Sequence, residues 1–164
     1  MIEPKPPPAA ISRMSARISS VPRDSPPEKM TMRLPLKALC DVAELGLRAV
    51  EARGMLGDDR PELALATLRR WCEGRCTVEE LDAAAVDAND AWVQGFATPA
   101  ACAYHAIDLL CLAALDERSV LDEEVRDEVL GDVRDALVAL GEPPEAAAAR
   151  VANERRAALR RRRR

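Results

Sequence analysis

Apolar residues return every three or four positions through most of the chain, and the runs between breakers have helical length. Leu36, Leu39, Cys40, Ala43, Leu47 and Val50 share one face of a segment from about Pro35 to Arg53, which Gly54 and Gly57 then break. Ala64, Leu65, Leu68, Trp71 and Cys72 form a second stripe. Asp58 or Asp59 can cap it, Pro61 stands in its first turn, and Gly74 is its left-handed stop. Thr77 and Glu80 have the Thr-x-x-Glu spacing of a capping box, followed by a third stripe of Val78, Leu81, Ala84, Ala85, Ala88 and Trp92 that ends at Gly95. Thr98 and Pro99 start a fourth segment reaching about Leu115. It is apolar nearly all round and so belongs in the middle of a bundle. Ser119 with Asp122 starts a fifth, with Leu121, Val125, Val129, Val133, Leu137 and Leu140 on one side and Gly141 as its stop.

This pattern predicts an all-α fold, a compact bundle of about five helices over residues 34–141, joined by short turns. Pro143 and Pro144 divide it from an Ala/Arg-rich tail, residues 142–164, in which a sixth helix is open. Residues 1–33 hold seven of the twelve prolines and few large apolar residues, so they are expected to be a disordered Pro-rich segment. Met30 and Met32 stand just before the first stripe and compete with Met1 as the natural start.

Composition sharpens the fold class. Apolar residues are 48% of the chain but aromatics only 2%, and alanine both favours helix and lets helices approach closely. No alternating run of strand formers occurs. The five cysteines, Cys40, Cys72, Cys76, Cys102 and Cys111, are odd in number and accompany no secretory signal. Reduced thiols in a soluble cytoplasmic protein are therefore expected. The longest apolar run, around Ile107 to Leu115, is too short to cross a membrane.

Charge is segregated along the chain. Residues 1–33 carry six basic against three acidic side chains, residues 34–141 ten against twenty-two, and residues 142–164 eight against three. An acidic body with basic ends suits a positively charged partner, or a tail folded back on the body.

Reactive constellations are thin. Cys72, Cys76, Cys102 and His105 could make a three-cysteine, one-histidine zinc set, yet Cys72 and Cys76 straddle Gly74 and the spacings are not those of zinc fingers. Cys102, His105 and Asp108 lie along one helix face, whereas catalytic triads assemble from separate elements. Structural thiols, no metal, no cofactor and no enzymatic site are the expectation. Carboxylates crowd the fifth segment, and Asp122, Glu123, Glu124, Asp127, Glu128, Asp132 and Asp135 are the candidate docking surface. Seven arginines among residues 155–164 could hold phosphates without sequence preference, with no aromatic nearby for base stacking.

One stretch carries a resemblance. The Asp58, Asp59, Arg60, Pro61 turn, the helix after it ending in Trp71-x-x-Gly74, and the threonine-started alanine helix together resemble bacterial immunity proteins of the Imm-five-like group, over residues 36–115. The resemblance implies a small helical protein that protects a bacterium by binding a cognate toxin, with no catalytic residues to carry over. The chain departs from the family in having a single histidine, so no histidine-based role is carried over either. For Asp58, Asp59 and Arg60 the expected role is a cap and an ion pair that fix a corner. The expected function is non-enzymatic neutralisation of a basic toxin by an acidic helical surface. The alternative is a regulatory adaptor whose arginine tail binds nucleic acid or another polyanion.

Overall fold

Pro26 and Pro27 open the first helix, α1 (Pro26–Ala52), because a first-turn proline gives up an N–H that has no intrahelical acceptor. The helix thus begins inside the segment read as disordered, nine residues before the expected start at Pro35. The computed structural model describes residues 26–116 and 122–162. The expectations for residues 1–25, Ser119 and Leu121 lie outside the described residues.

The helices that follow are α2 (Arg60–Cys72), α3 (Val78–Gly95), α4 (Ala101–Leu115), α5 (Glu123–Ala139) and α6 (Pro144–Arg161). Six helices, not five, and no strand make up the described residues. The sixth is the segment expected as a tail. Pro144 takes its first position, alanines carry it forward, and Ala147, Val151 and Ala158 are buried on one side.

Helix ends follow local chemistry. Asp59 is the N-cap residue of α2 by position but makes no cap hydrogen bond. Asp58 does that work: its Oδ1 accepts from the Arg60 backbone N–H at 3.0 Å and from Arg60 Nε at 2.9 Å. Gly74, at φ 72°, turns the chain out of α2, as an L-residue there would do only under strain. Thr77 Oγ1 then accepts from the Glu80 N–H, and Glu80 Oε2 accepts from the Thr77 N–H, closing a capping box. Thr98 does not cap α4. Its hydroxyl donates to the Gly95 carbonyl at 2.7 Å and closes the turn after α3.

The core is built from small and medium side chains. Leu36, Leu39, Cys40, Ala43, Leu47 and Val50 of α1 are all buried, and α4 buries ten of its fifteen residues. α4 packs on α1, α2, α3 and α5, and α1 packs on α2, α4, α5 and α6. Where α1, α4 and α5 cross, a Cβ on Gly46 would stand 3.4 Å from the Ala103 Cβ, so glycine there sets how closely the helices approach. Val78, expected on the third stripe, is 56% exposed at the first turn of α3, and Trp71 and Trp92 are only partly buried. Ion pairs tie helices at their rims: Arg69 of α2 reaches Glu44 at 2.6 Å and Asp41 at 3.1 Å on α1. Arg161 and Arg162 reach the same Asp41 from the end of α6. The basic C-terminal segment therefore folds back onto the acidic body.

Candidate functional site

The chain has four aromatic residues; one of them, Trp92, meets the only histidine where α3, α4 and α5 converge, and a second, Phe96, meets Trp92. Trp92 lies near the end of α3, and the His105 ring of α4 stacks on it, centroids 4.4 Å apart and planes tilted by 33°. Phe96, just beyond α3, meets Trp92 edge-on at 6.4 Å and is 72% exposed.

Across from the imidazole stands α5. His105 Nδ1 and Asp132 Oδ2 are 2.7 Å apart, with both side chains largely buried. An ionised Asp132 accepts, so Nδ1 carries the proton there. Burial pushes the Asp132 carboxyl above its usual range, His105 opposes that, and Glu128 and Asp135 raise it further. The neighbouring Cys102 thiol is also pushed up, by burial and then by Asp132 and Asp135. Burial is the larger cause of both shifts, and neighbouring carboxylates of α5 add to each. A thiol so raised is a poor nucleophile.

The seven carboxylates expected as one docking surface divide four ways. Asp122 caps α5, accepting from the Glu124 N–H at 3.0 Å. Asp132 turns inward to His105 and is not a surface charge. Glu128 and Asp135 lie one turn either side of it and act on its carboxyl, with Asp135 also accepting from Arg134 at 2.9 Å. Asp127 lines a groove against α6, Glu124 lies one turn before both Asp127 and Glu128, and Glu123 stands 3.9 Å from Arg126.

The other constellations do not assemble. Asp108 does not support His105; its Oδ2 accepts from Asn89 of α3 at 3.2 Å. Cys72 lies against Cys40 of α1, which with burial drives the Cys40 thiol well above its ordinary value. The Cys76 thiol approaches the Thr77 carbonyl at 3.3 Å. Among the described residues no group of three or more His, Cys, Asp or Glu is placed to hold a metal ion. Nor is any helix among them long and apolar enough to cross a membrane. The structural motif Asp58, Arg60, Pro61, Trp71 and Gly74 forms the two ends of α2, away from the aromatic cluster except where Arg60 Nη2 donates to Gln94 near the end of α3.

Sequence reasoning missed Phe96 and the Trp92–His105 stack. The available signal was scarcity: aromatics this rare, at the last turn of a helix and just past its glycine, are badly placed for a core. No family model, curated protein or solved structure matches the chain.

Proposed function

We propose that this chain is a non-enzymatic binding protein that neutralises a basic protein toxin, docking it on the face formed by Phe96, Trp92, Glu128 and Asp135. One observation supports the reading: Phe96 stands exposed against Trp92, and the His105 stacked on Trp92 pairs with Asp132, one turn from Glu128 and Asp135 on α5. Aromatic anchors supply contact energy, and surrounding charge steers a cationic partner and fixes its orientation. Toxins that act on nucleic acids present cationic clefts for phosphates, which an acidic cover blocks. The resemblance of residues 36–115 to bacterial immunity proteins points the same way. Asp132 serves the face indirectly, by holding His105 beneath Trp92.

The test is co-expression with a basic toxin domain encoded beside the chain. Wild type should restore growth and bind the domain. Glu128→Lys with Asp135→Lys should slow association about tenfold or more at low salt. Adding Phe96→Ala should abolish protection. Full protection by the triple variant overturns the reading.

The alternative, a polyanion-binding adaptor, rests on Arg155, Arg156 and Arg160, which face solvent on α6 with no carboxylate partner among the described residues. Binding to a DNA oligonucleotide that weakens steeply with salt would favour it. No such binding rejects it.

A further inference from the structure

Within α4, Cys102, His105, Leu109 and Leu112 are not buried, nor is Leu115 at the helix end; every other side chain is. At about 100° per residue the first four fall within about 80° of one another, so they form one open strip about 15 Å long. α3 and α5 each pack on α4 and, among the described residues, not on each other, so they stand as walls on either side of the strip. Two contacts set the register of α3: Asn89 donates to Asp108 at 3.2 Å, and Trp92 stacks on His105. A step forward on α3 is thus a step back on α4, which puts Phe96 level with the Cys102 end and Val86 level with the Leu112 end. Val86, Val93 and Phe96 are exposed and bracket Asn89 around the helix, so this wall is apolar. On α5, Asp132 pairs with His105, and Asp132 and Asp135 both act on the Cys102 thiol. The same antiparallel logic puts Glu128 level with Leu109, and Glu124 lies one turn further along. Glu124, Glu128 and Asp135 are exposed and make this wall acidic, even with Arg134 paired to Asp135. Neither α3 nor α4 carries a lysine or an arginine.

Cys102, His105 and Leu109 are half-buried whereas the side chains of the walls are exposed, so the surface is a shallow valley. Its floor is mostly apolar, one wall is apolar and the other is acidic, and that combination limits what can lie in it. A polyanion is repelled by α5 and finds no lysine or arginine on the floor or on α3. Two copies set face to face would leave both hollows unfilled. A helix with large apolar side chains along one face and lysine or arginine along the adjoining flank satisfies the floor and both walls. We propose that the valley over α4 seats one helix of the partner, apolar where it meets Leu109, Leu112 and the α3 wall, and cationic where it meets Glu124, Glu128 and Asp135 of α5. Resting on the reading above for the partner's positive charge, this seat runs the contact from Phe96 along the whole strip to Leu112, three helical turns away.

Titration of the full chain with a synthetic peptide of about fourteen residues, leucine at i, i+3, i+7 and i+10 and lysine on one flank, tests the seat. A peptide of the same composition, reordered so that no apolar face forms, should bind about tenfold more weakly or worse. Leu112→Lys, at the far end of the valley from Phe96, should weaken the ordered peptide about tenfold, and Glu124→Lys with Glu128→Lys should do the same. These side chains are exposed, and an unchanged melting temperature verifies that each variant is folded. Equal binding of the two peptides, or an ordered peptide indifferent to Leu112→Lys, overturns the proposal. So does a wild-type dimer in sedimentation that Leu112→Lys takes apart, because the seat then holds a second copy. In the co-expression assay, Leu112→Lys with Val86→Lys should cost protection. Protection kept by that pair but lost in the Phe96 triple variant overturns the seat and leaves the toxin reading standing. Protection kept by both overturns the two together.

Discussion

Asp108 is the side chain most at odds with its surroundings. It is 2% exposed; its Oδ2 accepts from Asn89, and its Oδ1 has no hydrogen-bond partner among the described residues. Burial raises its carboxyl above the usual range, while the Asn89 hydrogen bond and His105 oppose that. The folded protein therefore takes up this proton before the unfolded chain does, so the ionised form costs stability at neutral pH and the cost fades as pH falls. Asp108→Asn is expected to be more stable than wild type in urea at pH 7, with the difference closing toward about pH 4. A less stable variant at neutral pH would contradict this account. Asp58 runs the other way: Arg60 holds it low, so its contribution is present above the ordinary carboxylate value and lost on acidification. Phe96 needs no such argument. With its ring open to water, Phe96→Ala should change stability by less than about 0.5 kcal/mol, so any loss of binding would belong to the surface and not to the fold.

Among the helices, the starts and stops written in adjacent residues were legible. The Thr77–Glu80 box, Gly74 and Gly141 at positive φ, and the nearly all-apolar α4 follow from short-range chemistry that no tertiary contact needs to supply. Thr77→Ala should cost about 1 kcal/mol, which for a chain of this size lowers Tm by about 2–4 °C. Glu80→Gln should cost less, since the amide keeps the box and loses only the pair with Arg70 at 3.3 Å. What could not be read was α6. It buries only Ala147, Val151 and Ala158, and so sparse a stripe of small side chains barely stands out from an arginine-rich tail. α1 and α5 supply the surface that makes those three positions count. The site was illegible for a related reason. Glu128, Asp132 and Asp135 look alike in sequence, and only the position of His105 on a different helix selects which of them turns inward.

For the molecule as a whole, charge segregation along the chain becomes contact in space. The acidic body receives the basic end through Asp41, to which Arg161 and Arg162 reach at 3.4 and 3.5 Å. Deleting residues 155–164 therefore does more than remove charge, because it also takes away Ala158, which is fully buried. The truncated chain should melt several degrees lower, whereas Arg155→Glu with Arg156→Glu should leave the melting temperature of the monomer nearly unchanged. Equal melting temperatures for the truncated and full chains would show that α6 adds nothing to the body. The packing of α1 on α6 also orders events during synthesis. While a ribosome is still making α2 to α5, one side of α1 has nothing to cover it, and the bundle closes only when α6 emerges. The nascent chain thus carries a sticky flank through most of its translation, a window in which chaperones or neighbouring copies reach it first.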